Sequence, residues 1–127
     1  MLNTDSTLTE RIIGCAVAVH RELGPGLLES VYEEALGIEF KASGLRFSRQ
    51  LELPILYKGE VLGNCLRVDL VVENQVVVEV KAVDRVNPVY MAQVLSYMKL
   101  GNWPVGLLLN FNVPLLKNGI QRIILKR

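Results

Sequence analysis

The stretch that decides the fold runs from residue 67 to residue 81 and reads Arg67-Val68-Asp69-Leu70-Val71-Val72-Glu73-Asn74-Gln75-Val76-Val77-Val78-Glu79-Val80-Lys81. Two runs rich in β-branched residues, 68–72 and 76–80, are separated by three polar residues, which predicts two strands joined by a tight turn. Asn74 is the turn residue best suited to a positive φ. Runs this apolar are typical of strands buried on both faces. We therefore expect this hairpin to be the central one of the fold.

Charged residues interrupt both apolar runs. Asp69 lies in the first run, whereas Glu79 and Lys81 lie in and at the end of the second. A three-residue loop would pair Val72 with Val76 and set Asp69 opposite Glu79, with Cβ atoms roughly 4.5–5.5 Å apart. Lys81 would share the face of Glu79, since the two are two residues apart. A two-residue loop would shift the register by one, and Asp69 would then lie on the opposite face from Glu79 and Lys81.

Two interpretations of this charged group follow from the cost of burying charge, which is high unless the charge is paired or binds a metal. The first is a structural salt bridge from Lys81 to Asp69 or to Glu79. The second is a functional site in which two carboxylates and one ammonium converge. The position of all three groups within apolar strands favours the site.

Asp69 followed by Glu79-Val80-Lys81 resembles the core signature of the PD-(D/E)XK nuclease superfamily. Upstream, Gly26-Leu27-Leu28-Glu29-Ser30-Val31-Tyr32 matches the motif that names the GxxExxY family, a branch of that superfamily. Gln93-Val94-Leu95-Ser96-Tyr97 also fits, and the similarity extends from His20 to Asn112, which is most of the chain. The first motif departs from the superfamily's name, because Val68 stands where that name has a proline.

The resemblance implies a metal site for Mg²⁺ or Mn²⁺. Its ligands would be the carboxylates of Asp69 and Glu79, with Glu29 as a third carboxylate and the carbonyl of Val80 as a further ligand. Oxygen ligands of this kind suit hard divalent cations. Glu29 also has a simpler explanation, because an acid in the first turn of a helix is stabilised by the helix dipole.

The resemblance also implies roles in catalysis and substrate binding. Lys81 would hold or help deprotonate the attacking water and stabilise the charge of the transition state. Gln93 would orient water or phosphate, so that the catalytic set is Asp69, Glu79, Lys81 and Gln93. His20, Arg21 and Tyr97 are the candidates for substrate binding. A lone helical histidine such as His20 is more often structural, and we keep that alternative.

Composition bounds these expectations. The 127 residues fit one compact domain, 1–127, and a chain that is 50% hydrophobic and 21% charged is not disordered. A net charge of +1 gives no strong overall field, so nucleic-acid binding would need a local patch or a metal.

The remaining composition signals are weak. Cys15 and Cys65 lack metal-ligand spacing and are expected to be small buried side chains, with a disulfide left open. The first five residues carry no basic segment or long apolar run. We therefore expect no signal peptide, no membrane span and a cytoplasmic location.

Helical patterns occur in three segments. Residues 7–23 carry the Thr-x-x-Glu pattern of a capping box at Thr7 and an apolar stripe, with Gly24-Pro25-Gly26 ending the helix. Residues 27–43 predict a second helix that Gly44 ends, and residues 88–100 predict a third. The expected buried positions are Leu8, Ile12, Ala16, Val19 and Leu23 in the first helix and Leu28, Val31, Tyr32, Ala35 and Leu36 in the second.

Strand patterns occupy the rest. Residues 47–53 predict a strand that Pro54 confines to a sheet edge or a strand end, and Lys58-Gly59 predicts a hairpin tip. Residues 104–113 indicate an inner strand, and residues 119–125 indicate a final one. A basic patch from Arg46, Arg49 and Lys58 is conceivable, although a solvated sheet face is the default interpretation.

The order of elements predicts an α/β fold with a central mixed sheet and helices on both faces, which resembles the restriction-endonuclease-like core. The expected function is divalent-metal-dependent hydrolysis of phosphodiester bonds, with DNA or RNA as the substrate. The alternative is a catalytically inactive nuclease-like module for nucleic-acid or protein interaction, because a fold does not establish an activity. A homodimer or a protein partner is left open.

Overall fold

The computed structural model describes residues 3–126. It contains three α-helices, five strands and one short 3-10 helix. The helices are α1 (Asn3–Leu23), α2 (Glu29–Ala42) and α3 (Pro88–Gly101), and the 3-10 helix is Leu116–Gly119. The strands are β1 (Phe47–Tyr57), β2 (Glu60–Val72), β3 (Val76–Lys81), β4 (Val105–Asn110) and β5 (Ile120–Ile124).

The strands form one mixed sheet in the order β1-β2-β3-β4-β5. β3 and β4 are parallel and are joined through α3, while the other neighbours are antiparallel. A parallel pair needs a long crossover, which explains why the third helix lies between these two strands. The predicted α/β fold with a central mixed sheet is confirmed.

The central hairpin has the register that places the charged residues together. Val72 pairs with Val76, so the loop has three residues. Glu73 and Asn74 have φ angles of 52° and 53°, as the turn requires. Residues 76–80 are all buried, which confirms that β3 is covered on both faces.

Helices cover the two faces of the sheet. On one face, α1 and α2 pack against alternate residues of the inner strands. The predicted stripe of α1 is buried from Leu8 to Val19, and Leu23 packs against the core in a half-buried position. On the other face, Val94 and Met98 of α3 pack against the remaining residues of the same strands. No helix in the described range 3–126 combines the length and the apolar character needed to cross a membrane.

Two helix predictions need correction. α1 begins at Asn3, so Thr7 lies inside the helix and the predicted capping box is wrong. Polar residues in a helix cost only a few tenths of a kcal/mol, and they do not stop a helix on their own. Leu28, which precedes α2, and Val31 within it are 73% and 38% exposed, contrary to expectation. Tyr32 and Leu36 are buried as predicted, together with Phe40, and the Tyr32 hydroxyl donates to the Gly24 carbonyl at 2.6 Å.

The hairpin of β1 and β2 extends beyond the rest of the sheet. β1 is an edge strand that carries Pro54, and its turn has φ angles of 49° at Lys58 and 82° at Gly59, as predicted. β3 pairs with β2 from Leu70 to Val72. Cys65, on the outer part of β2, is therefore exposed rather than buried, and both cysteines are free thiols.

Gly119 provides a test of packing at the entry to β5. A Cβ atom at this position would lie 2.1 Å from the backbone oxygen of Asn110, which cannot move away as a side chain could. We expect Gly119→Ala to lower the free energy of unfolding by on the order of 1–3 kcal/mol. Gly14→Ala is the matched control, since open space surrounds that exposed helical glycine and alanine should stabilise the helix by up to about 1 kcal/mol. Urea denaturation measures both, and equal stability of the two variants would contradict the packing.

Candidate functional site

Asp69 lies where β2 and β3 separate. Leu70 and Val78 form the last pair between these strands, and Asp69 is the next residue of β2. Its Oδ2 atom accepts a hydrogen bond from the backbone N–H of Val80 at 2.9 Å. A side chain thus takes the place of a backbone acceptor at this point. The bond fixes one oxygen of the carboxylate and leaves the other, Oδ1, facing the side chains around it.

Glu79 is the most buried acid of the site, at 4% exposed. Its Oε1 atom is fully buried and is the one such side-chain oxygen or nitrogen of the described residues that lacks a hydrogen-bond partner. Its Oε2 atom lies 3.7 Å from the Nζ atom of Lys81, which is a long ion pair. Buried polar atoms are nearly always hydrogen-bonded, so an orphaned carboxylate oxygen calls for an explanation.

Burial raises the pKa of both acids, and a neighbouring negative charge adds to the rise in each case: that of Asp69 for Glu79 and that of Glu33 for Asp69. Burial raises the pKa of Glu79 from 4.5 to about 8, the charge of Asp69 adds to the rise, and Lys81 opposes it. Burial also raises the pKa of Asp69, although the hydrogen bond from Val80 and the charge of Lys81 counteract it. Without a cation, Glu79 therefore favours its protonated form at neutral pH, and ionising both acids together requires added positive charge.

Lys81 is held between an acid and an aromatic ring. Its ammonium lies 4.4 Å from the centre of the Tyr90 ring, on α3, in a cation–π contact. Its backbone oxygen accepts the N–H of Phe111 at 2.9 Å, which ties the end of β3 to the chain after β4. Of the two salt bridges anticipated for Lys81, the structure forms the one with Glu79.

Glu29 lies near these residues but is engaged elsewhere. Its Oε2 atom accepts the backbone N–H of Ala82 at 3.1 Å, and its charge adds slightly to the raised pKa of Glu79. Between residues 3 and 126, no three His, Cys, Asp or Glu side chains form a group that could hold a metal ion. The role of Glu29 as a third carboxylate ligand stays a prediction.

The motif from Gly26 to Tyr32 has a structural explanation. The Tyr32 hydroxyl donates to the Gly24 carbonyl at 2.6 Å and accepts the N–H of Leu27 at 3.1 Å. Its ring stacks on Phe111 with centroids 4.5 Å apart. Tyr32 is therefore a packing residue that anchors the loop leading to Glu29.

The two candidates on α3 are in different surroundings. Tyr97 is buried, and burial raises its pKa to about 12, with smaller contributions from the charges of Glu79 and Asp69. The hydroxyl is therefore close enough for the charges of both carboxylates to affect its pKa. Gln93, one turn earlier, is exposed. The roles of both residues stay predictions.

His20 has contacts typical of a structural histidine. Its Nε2 atom is 2.8 Å from the backbone oxygen of Val113, and its ring centroid is 6.3 Å from that of Phe111. Arg21 is exposed beside it and lines the same surface cavity. Substrate binding by His20 and Arg21 stays a prediction.

Three residues of the site were not identified from the sequence. Glu33 is 5% exposed and forms an ion pair at 3.0 Å with Arg49. Gln50 Nε2 donates to Glu33 Oε1 at 2.7 Å and, more weakly, to Asp69 Oδ1 at 3.4 Å. Glu33 could have been identified from the sequence, because it lies four residues after Glu29 and this spacing puts both acids on one helix face.

The fold is restriction-endonuclease-like: a mixed five-stranded sheet with helices on both faces. The acidic cluster, Asp69 and Glu79, lies at the point where two central strands separate. A family model for the PD-(D/E)XK nuclease superfamily matches residues 6–123, so the chain belongs to that superfamily. Among curated proteins, no match was found. Among solved structures, none was found either. Membership of the GxxExxY branch stays a prediction.

The raised pKa of Glu79 predicts that metal-free stability falls as pH rises. The folded carboxyl holds its proton up to about pH 8, whereas the ordinary value is 4.5. The folded state therefore binds more protons than the unfolded state between these pH values. The resulting contribution to the free energy of unfolding is complete below pH 4.5 and is lost as pH rises through 8. We expect the free energy of unfolding in chelator to fall by a few kcal/mol from pH 5 to 8.5, since a pKa difference of one is worth about 1.4 kcal/mol.

Glu79→Gln should flatten this profile, because it removes the titrating group. Glu52→Gln is the control, since Glu52 forms an exposed ion pair with Arg67 and should leave the slope unchanged. Urea denaturation at each pH measures the profiles. A slope in Glu79→Gln as steep as in the unaltered protein would contradict the assignment.

Proposed function

We propose that this protein hydrolyses phosphodiester bonds in DNA or RNA, with Mg²⁺ or Mn²⁺ held by Asp69 and Glu79. The observation that carries the proposal is the buried Oε1 atom of Glu79, which has no hydrogen-bond partner and lies beside a second acid. When both acids are ionised, a single ion pair at 3.7 Å does not compensate two desolvated carboxylates. A divalent cation would supply the charge that they lack.

The donor set fits a hard cation. The Oε1 atom of Glu79 is unpartnered, and Asp69 Oδ1 has only a long contact of 3.4 Å with Gln50. The backbone carbonyl of Val80 belongs to the residue between Glu79 and Lys81 and is proposed as a further ligand. Carboxylate and carbonyl oxygens are the ligands that Mg²⁺ and Mn²⁺ prefer.

The chemistry divides between the metal and the side chains. A bound divalent cation would neutralise phosphate charge and lower the pKa of a water molecule. Lys81 would keep its ammonium close to the reacting phosphate, since Tyr90 and Glu79 hold it in place. Tyr97 would act as a hydrogen-bond donor, since a tyrosine hydroxyl is protonated at neutral pH and burial raises its pKa further, to about 12. Gln93 would orient water or phosphate.

Nucleic acid is the proposed substrate because it is the substrate class of the superfamily. The net charge of +1 provides no general attraction, so binding would depend on the metal and on local cations. His20, Arg21 and Tyr97 are proposed to contact the substrate.

The second candidate function is a catalytically inactive interaction module. Two contacts favour it: Glu79 already pairs with Lys81, and the carboxylate of Glu29 is occupied by the N–H of Ala82. In that case the acidic cluster would be a structural remnant of a metal site. The following two experiments separate the candidates.

Metal binding should stabilise the protein. At one hundred times the dissociation constant of Mn²⁺, linkage predicts a gain of about 2.7 kcal/mol in the free energy of unfolding. Asp69→Asn should abolish the gain, because it removes a ligand charge while keeping an oxygen that can accept the N–H of Val80. Thermal melting and calorimetry measure the effect.

The control for metal binding is again Glu52→Gln, which removes one negative charge from an exposed pair outside the cluster. It should keep the full Mn²⁺ effect. Melting curves of the unaltered protein that coincide in Mn²⁺ and in chelator would contradict the metal site.

Lys81→Met tests catalysis, since it keeps the aliphatic stem and deletes the charge. Metal affinity should persist or rise slightly, while cleavage should fall by a factor on the order of 10²–10³, as is usual for loss of one electrostatic donor. Lys81→Arg should not restore the rate, because a planar guanidinium does not replace a compact ammonium. The assay uses Mn²⁺ with single- and double-stranded DNA and RNA.

Lys99→Met is the matched control, because Lys99 is an exposed lysine in the last turn of α3. It should cleave at the unaltered rate. An unaltered rate in Lys81→Met would remove Lys81 from the mechanism. Metal binding without cleavage of any of these substrates would favour the interaction module.

A further inference from the structure

Gln50 has an unusual backbone for a strand residue. Five non-glycine residues in the described chain have a positive φ, and four of them lie in turns or at a helix end. Gln50 alone lies within a strand, with φ 51°, opposite Asp69 at a gap in the pairing of β1 with β2. A positive φ costs free energy in residues other than glycine, and such strain concentrates at functional sites.

The positive φ of Gln50 is not explained by a change in the course of the strand. β1 continues through the gap, since Arg49 pairs with Leu70 before it and Leu51 pairs with Val68 after it, in the same register. Gln50 is also exposed, so water competes for its hydrogen bonds and they add little to stability. What the conformation does provide is the position of the side-chain amide.

The amide of Gln50 links two carboxylates. Its Nε2 atom donates to Glu33 Oε1 at 2.7 Å and to Asp69 Oδ1 at 3.4 Å. Glu33 is fixed in turn, because the Arg49 Nε atom donates to its other oxygen at 3.0 Å. Asp69 is held on its second side by the N–H of Val80 at 2.9 Å.

We propose that Gln50 is a positioning residue: its strained backbone aims its amide at Asp69, so that this carboxylate is oriented toward the metal site and is kept apart from Glu33. The inference rests on the proposed function, since it concerns the same site. The 3.4 Å contact is long enough to leave Oδ1 free to bind a cation while still restricting its rotation. Partners of this kind typically change metal affinity by 10- to 100-fold when they are lost.

Gln50→Gly separates positioning from folding. Glycine adopts the positive φ without strain and lacks the amide, so the melting temperature should stay the same or rise. The dissociation constant of Mn²⁺ should rise 10- to 100-fold by calorimetry. Gln50→Met keeps the side-chain volume without the donors, and it should weaken Mn²⁺ binding to the same extent.

Lys58→Gly is the matched control. Lys58 also has a positive φ, 49°, but lies at the tip of the β1–β2 hairpin. This variant should relieve the same kind of backbone strain and leave Mn²⁺ affinity unchanged. A loss of affinity in Lys58→Gly equal to that in Gln50→Gly would overturn the inference.

A readout without metal distinguishes failure of this inference from failure of the proposed function. Hydrogen exchange of the Val80 amide reports its bond to Asp69, and Gln50→Met should lower that protection while leaving the Val77 and Val78 amides unchanged. Unchanged protection of the Val80 amide, or loss of protection throughout the sheet, would overturn the proposal that Gln50 positions Asp69. If the unaltered protein binds no Mn²⁺, the proposed metal site fails, and the Val80 amide alone decides the role of Gln50.

Discussion

The hydrogen bond from the Val80 N–H to the Asp69 carboxylate is the contact on which the site depends. It occurs where the ladder between β2 and β3 ends, one residue beyond the Leu70–Val78 pair. A side chain there replaces a backbone acceptor, so the strands can separate without an unsatisfied donor. The same bond fixes the orientation of Asp69, whose charge acts on the buried carboxyl of Glu79.

The electrostatics of the cluster oppose the stability of the metal-free fold. Burial and the neighbouring charge hold the pKa of Glu79 at about 8, and Lys81 offsets only part of this. A protein selected for stability alone would gain by replacing such a group with an apolar one, since buried charges are costly even when paired. Such a cost is what we expect if the cluster is the proposed metal site.

Aromatic and amide contacts outside the cluster hold its surroundings in place. Tyr32 stacks on Phe111 and secures the loop before Glu29, while Phe111 donates its N–H to the Lys81 carbonyl. These contacts connect α2 and the end of β4 to the end of β3. The position of Lys81 thus depends on three segments that are distant in the sequence.

The sequence by itself predicted the α/β class and the central hairpin, and it grouped Asp69, Glu79 and Lys81 on condition that the loop has three residues, because strand alternation and a short turn are local properties. The structure meets that condition, since Val72 pairs with Val76. It did not determine that Leu28 and Val31 are exposed, nor the link from Glu33 through Gln50 to Asp69. The link depends on contacts between residues 17 and 19 positions apart, and on the φ of 51° at Gln50. Only the packed tertiary structure decides such features. The periodicity of side chains along one element does not show which side chains of another element will contact it.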